Sequence, residues 1–233
     1  MTHYKNLQTY LAAGQLYAKN SPNVQMGYRI SFETIDSKRG TPQFTTPCGS
    51  NVNDFVPFYF SPSTKMAYSI HMRNVPQRDP DGTSPGKVSM DDIAQLVVNP
   101  EVLFNSGRQC WFTDIACNSG IPPTYACVSN MLSSHLEWTL FDEFGHNNRD
   151  QMATIPEIGY SGVCKWQHDK DEPARYQMRS KKRMAEFMVK DRLQMNEVSC
   201  IVLKNQTHLA EVQAWVNASH TQIPVYVKPG CFF

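Results

Sequence analysis

Apolar positions in this chain fall into short runs, some with helical spacing and some with strand spacing, mixed without βαβ alternation. Asn6-Leu7 and Tyr10-Leu11 place apolar residues at i, i+3 and i+4, and Gly14 is a natural stop. That spacing predicts a short amphipathic helix over residues 5–13. Leu132, Leu136 and Leu140 predict a helix over Ser129–Phe144. Leu209, Val212 and Val216 predict a helix over Thr207–Ser219, with Thr207 as N-cap. The aromatic run 54–60 reads as a buried strand that Pro57 places at a strand start or on an edge. Further strands are expected at Met66–His71, Asp92–Val98, 111–114, Val198–Leu203 and Pro224–Val227, with a brief one at Gly27–Phe32. The rest of 20–52, together with 74–90 and most of 145–177, is loop by composition.

One stretch admits two periodicities. In Lys181–Val189 a basic cluster runs into an apolar segment holding a single carboxylate. As a strand, it puts Met184, Glu186 and Met188 on one face, so Glu186 can look into a cleft beside cations. As a helix, it makes Glu186 an ordinary exposed acid above a stripe of Ala185, Met188 and Val189.

Composition narrows the class. The 233 residues suffice for one domain with a sizeable core, and 41% hydrophobic against 18% charged residues marks a globular chain. A formal charge of +1 means that any nucleic-acid footprint is local. The basic run Arg175, Arg179, Lys181, Lys182, Arg183, Lys190 and Arg192 is the candidate track, or else a solvated face. Trp166, Arg175 and Tyr176 have the stacking and phosphate-binding chemistry of a substrate loop, which equally describes a surface insertion. Arg39 stands in a long loop with no local partner. Seven cysteines show neither CxxC pairing nor zinc spacing, so reduced thiols, no metal and a cytoplasmic setting are expected. The opening residues hold no apolar signal-peptide core, and no run nears the roughly 18 apolar residues that span a bilayer, so no membrane association is expected. There is no GxGxxG, Walker or HExxH motif and no Ser/His/Asp constellation. The residues alone lead to an α+β domain and leave its activity open.

An ordered set of segments goes further. Asn53–Pro62 (NDFVPFYFSP) resembles the "HDYVPFYF.P" segment of the DarT family, the DNA ADP-ribosyltransferase toxins of bacterial toxin–antitoxin and anti-phage systems, with Asn53 in place of His. The opening Thr2–Leu7 with Gly14-Gln15-Leu16 resembles the family's "TH.DNL…G.L" start. Phe112-Thr113-Asp114 resembles its "FTD", Glu137-Trp138 its "DW", and Lys182–Val189 its "K.QAEFLV". Order and approximate spacing hold along nearly the whole chain. Ala116 stands where the family usually has His, and Met184 where it has Gln.

The resemblance implies an ADP-ribosyltransferase-like split β-sheet core with flanking helices, formed by residues 1–233 as a single domain. It implies NAD as co-substrate, bound without a Rossmann motif. By the same match Glu186 is the catalytic glutamate and Arg39 the functional arginine, while Thr2, His3, Tyr17 and Arg39 bind NAD. The acceptor is expected to be a base of single-stranded DNA or RNA, held by Asn53, Asp54, Trp166, Arg175, Tyr176, Arg179 and Lys182. A cognate antitoxin is the expected protein partner. Two other readings remain open: transfer to a protein side chain, and a binding module that has lost catalysis.

Overall fold

The computed structural model describes residues 1–141 and 174–233, with Arg175 described by its backbone alone. Two four-stranded sheets form the centre. The first has the order β1 (Thr2–His3), β6 (Ile93–Val97), β11 (Cys200–Leu203), β12 (Val225–Val227). Its strands are antiparallel except for the parallel β11–β12 pair. The second has the order β3 (Phe55–Tyr59), β9 (Glu186–Lys190), β7 (Cys110–Thr113), β8 (Tyr125–Ala126), antiparallel throughout. Two small antiparallel pairs complete the described sheets: β2 (Gln15–Tyr17) with β10 (Arg192–Gln194), and β4 (Pro76–Gln77) with β5 (Gly86–Lys87). The α+β class and the split-sheet architecture expected from the sequence are both present.

The central strands explain their own composition. All four residues of β11 are buried, as are the first four of β6 and of β9. A strand covered on both faces reads as a continuous apolar run rather than an alternating one. The helix Asn6–Ala13 buries Leu7 and Leu11, one turn apart, and packs against the helix Leu209–Ala218, which buries Val212 and Val216. Gly14 ends the first helix at φ 68, the left-handed conformation that glycine adopts without penalty. The main core joins Leu7 and Leu11 with Leu96, Phe112, Phe187, Val189 and Ile201, so one apolar cluster ties both sheets together.

Several local expectations are corrected. Residues 65–71 form a helix, not a strand: the Thr64 hydroxyl accepts the Ala67 N–H at 3.2 Å, and Ala67 and Ile70 turn inward together. A helix at Glu33–Arg39 occupies part of the expected loop; it buries no residue, so no apolar stripe announced it. Gly27–Phe32 contributes only an isolated bridge, Arg29 to Arg78. The helix expected over Ser129–Phe144 is instead three short turns within 129–140, and residues 142–144 lie outside the described part. Its carbonyls are drawn elsewhere: Arg183 donates to Leu140 O and Phe141 O at 3.2 Å each. Thr207 does not cap the last helix, whose N-cap is His208 without a side-chain bond. The six described cysteines are free thiols, and Cys164 lies outside. Among the described residues no helix is long and apolar enough to cross a membrane.

Candidate active site

Glu186 opens β9, the central strand of the second sheet, so its backbone is held on both sides. Its N–H donates to Thr113 Oγ1 at 3.1 Å, and that hydroxyl donates onward to Ile115 O at 2.8 Å. The turn so fixed delivers the Cys117 N–H to Glu186 Oε1 at 2.9 Å. From the far side of the chain, Arg39 Nη1 reaches Oε1 at 2.7 Å and Oε2 at 2.8 Å. The two side chains are 12% and 2% exposed, so this ion pair is largely shielded from solvent.

The local electrostatics follow. Burial works against the Arg39 charge, but the Glu186 carboxylate outweighs it and holds the guanidinium above its ordinary value. Burial, reinforced by the negative charge of Glu186, pushes the Tyr59 phenol and the Cys117 thiol upward, so both remain protonated near neutrality. Among the described residues Oε1 accepts two hydrogen bonds and Oε2 one, which leaves Oε2 with acceptor capacity for a further hydroxyl or proton.

Tyr59 lies directly opposite Glu186 in the β3–β9 register. It also lines a cavity of about 390 Å³ in the split between the sheets. Phe60, Gln95, Leu96, Asn99 and Trp138 contribute to that wall, and Met1 reaches it from beside Thr2. Aromatic faces with a few amides suit a ligand carrying rings and polar links. Near the end of β7, Lys182 Nζ lies 3.0 Å from Asp114 Oδ2 and 3.4 Å from Glu137 Oε1. Asp114 also accepts the Thr124 N–H at 2.8 Å.

Of the residues expected at the site, Glu186 and Arg39 are brought together. Thr2 and His3 lie on β1 at the edge of the first sheet. Thr2 Oγ1 accepts from Asn6 Nδ2 at 3.0 Å, and His3 is buried, stacked on Tyr28 with ring centroids 4.6 Å apart. Tyr17 lines a separate pocket of about 260 Å³ with Asn20, Asp54 and Lys190. Lys190 pairs with Phe55 where Glu186 pairs with Tyr59, so that pocket lies about 13 Å along the strand from the carboxylate.

Several of the residues expected to contact nucleic acid are buried or paired. Asn53 and Arg179 are buried, and Arg179 sits over the Tyr176 ring at 4.3 Å. Lys182 is ion-paired to Asp114, and Asp54 to Lys190 at 3.2 Å. Arg183, part of the supposed basic track, is fully buried among carbonyls and the Ser61 hydroxyl. Of this run Arg179 and Arg183 are buried and Lys182 and Lys190 are paired, while Lys181 and Arg192 are exposed. Trp166 and the Arg175 side chain lie outside the described residues.

The sequence reading missed Thr113, Tyr59 and the Cys117 N–H as parts of the site. The first two stand inside the quoted Phe112–Asp114 and Asn53–Pro62 segments, where attention to polar side chains at strand ends would have found them. The third has no sequence signal, because every residue but proline carries an N–H. Among the described residues no cluster of His, Cys, Asp and Glu is arranged to hold a metal.

Comparison with known proteins agrees with this architecture. A chain from Thermus sp. 2.9, solved as DarT in complex with ADP-ribosylated ssDNA, superposes with a TM-score of 0.69 at 22% identity, covering 100% of this chain and 93% of that one. The same protein in complex with NAD+ gives 0.67 at 21%, covering 100% and 94%. Thermosipho africanus DarTG in complex with ADP-ribose gives 0.62 at 17%, covering 100% of this chain and 50% of that one. In sequence, a DNA ADP-ribosyl transferase of Thermus sp. (strain 2.9) is 30% identical over 115 residues, 49% of this chain and 50% of the relative. One from Thermus aquaticus is 32% identical over 108 residues, 45% of each. The chain thus matches about half the length of these curated relatives. The model of the family described as ssDNA thymidine ADP-ribosyltransferase, DarT, matches residues 1–233, and the chain belongs to that family.

Proposed function

We propose that this protein transfers ADP-ribose from NAD+ to a base of single-stranded DNA. The observation that carries this reading is the shielded carboxylate of Glu186, fixed by Arg39 and the Cys117 N–H. The family description and the DNA- and NAD+-bound relatives support it.

The reaction breaks the bond between C1′ of the ribose and the nicotinamide nitrogen. Nicotinamide leaves with the bonding pair, and the sugar develops oxocarbenium character. A buried carboxylate stabilises that cation more than it stabilises the neutral sugar, which is the requirement for lowering the barrier. The open capacity of Oε2 serves a ribose hydroxyl or the proton shed by the acceptor. A thymidine base offers one ring N–H, and its nitrogen forms the new bond to C1′ as that proton leaves. Arg39 orients the Glu186 carboxylate and supplies positive charge for a pyrophosphate. Thr2, His3 and the Tyr59–Trp138 wall are assigned to NAD+. Stacked bases within a duplex are out of reach, so single strands are the substrate. We extend the reading to a cytoplasmic toxin restrained by a cognate antitoxin, on the family resemblance.

The test incubates labelled NAD+ with single-stranded DNA, RNA and total protein as separate acceptors, using wild type and Glu186→Ala. Label on DNA alone, lost in the variant, is expected. Label on RNA or protein would reassign the acceptor. No label from folded protein would favour a binding module.

A further inference from the structure

We infer that Asn51 is a positioning residue for Arg39, and that Asp54 anchors it to the strand that carries Glu186. The inference rests on the transfer reaction proposed above. Arg39 ends a seven-residue helix with no buried residue, so packing of that helix does not aim its side chain. Its backbone is held from outside instead. Asn51 Nδ2 lies 3.3 Å from Arg39 O, 3.4 Å from Thr41 O and 3.5 Å from Phe44 O, gathering three carbonyls of the chain reversal around one amide. Thr41 Oγ1 secures the same turn by donating to Lys38 O at 2.8 Å.

Asn51 is itself fixed. Its Oδ1 accepts the Asn53 N–H at 2.9 Å, and its N–H donates to Asp54 Oδ2 at 3.1 Å. The same Asp54 oxygen accepts from Lys190 Nζ at 3.2 Å, while Oδ1 accepts from Asn20 Nδ2 at 2.8 Å. Burial opposes ionisation of Asp54, but the bonds from Asn20 and Lys190 outweigh it and keep its titration below the usual range. Lys190 is the last residue of β9 and Glu186 the first. The contacts therefore close a circuit: Glu186 to Arg39, through the backbone to Asn51, to Asp54, to Lys190, and back along one strand. The guanidinium is thereby referenced to the strand bearing its carboxylate partner rather than to a surface helix. A displacement of about 1 Å at a reacting group commonly lowers rate by up to 100-fold, so such bracing bears on turnover.

The competing explanation is that Asn51 only caps the turn Val52–Asp54. Asn51→Asp separates the two, because aspartate is as good an N-cap but has no amide donor. The variant is compared with wild type in three readouts: melting temperature, kcat against KM for NAD+, and the Arg39 guanidinium resonance in protein labelled with 15N-arginine, assigned by its loss in Arg39→Lys. Bracing predicts a melting temperature within about 3 °C of wild type. It also predicts kcat reduced roughly 10- to 100-fold with KM little changed, and a broadened Arg39 resonance. An unchanged resonance and unchanged kcat overturn the inference. If Asn51→Asp does not fold, Asp54→Asn is read the same way, and a sharp Arg39 resonance there overturns it. A wild type inactive on every acceptor defeats the proposed reaction, while the resonance still decides the brace.

Discussion

Arg39 and Glu186 stand 147 residues apart in the chain and meet through a single guanidinium nitrogen, 2.7 and 2.8 Å from the two carboxylate oxygens. Removing one member of so shielded a pair leaves the other charge without its partner, which commonly costs about 3–5 kcal/mol. Arg39→Met is therefore expected to melt well below wild type. The double variant Arg39→Met/Glu186→Gln should recover much of that loss, because the stranded carboxylate is gone. Thermal unfolding of the four proteins in a double-mutant cycle measures the coupling. Both single variants should lose transfer activity by about 100-fold or more.

Thr113 links the Glu186 N–H to Ile115 O through one hydroxyl. Thr113→Val preserves volume and removes both bonds, stranding a buried N–H and a buried carbonyl at a cost of about 1–3 kcal/mol. Thr113→Ser keeps the hydroxyl and is expected to lie closer to wild type. Urea midpoints at constant m-value distinguish them.

Burial holds the His3 imidazole down at about 4, against an ordinary 6.5; Asp92 and Asp79 oppose that shift and Lys5 and His208 assist it. Between those two values the unfolded chain binds a proton that the folded chain refuses. The contribution of His3 is thus fully present above pH 6.5 and is lost as pH falls toward 4 and below. On the order of 3 kcal/mol is at stake. His3→Phe retains a ring against Tyr28 and should flatten the fall in stability over that window, measured by denaturant unfolding at stepped pH.

Cys48 is exposed, and its thiol titrates at about 7: burial would raise it, but hydrogen bonds from Thr46, Ser50 and Gln109 prevail. Alkylation of Cys48 should rise to half its maximal rate near pH 7 and shift upward in Gln109→Ala. Cys110 and Cys231, buried and held up at about 11, should stay unmodified in folded protein. Peptide mass spectrometry after a brief alkylation pulse reads all three.

Legibility varied by element for physical reasons. The β9 segment alone admitted both strand and helix, whereas the helix Asn6–Ala13 was readable from its regular apolar period and strands β6 and β11 from their runs of buried residues. The helix Glu33–Arg39 was not, since it buries nothing, and Lys65–His71 was misread because its cap outweighs a strand-like composition. Glu186 was singled out by the family resemblance of its segment, since the segment alone admitted both a strand and a helix.

By itself the sequence determined the class of fold, the central strands and the helix that opens the chain, and its resemblance to the family singled out Glu186 and Arg39 as candidates. The elements follow from apolar patterning, which is local. Tertiary structure alone decided what surrounds those two residues: the Cys117 N–H on Oε1, Tyr59 across the strand, the Asn51 contacts, and the burial of Arg179 and Arg183 within an apparent basic track. A backbone N–H has no residue identity, and whether an arginine faces solvent or carbonyls depends on segments far away in the chain. No local pattern encodes either.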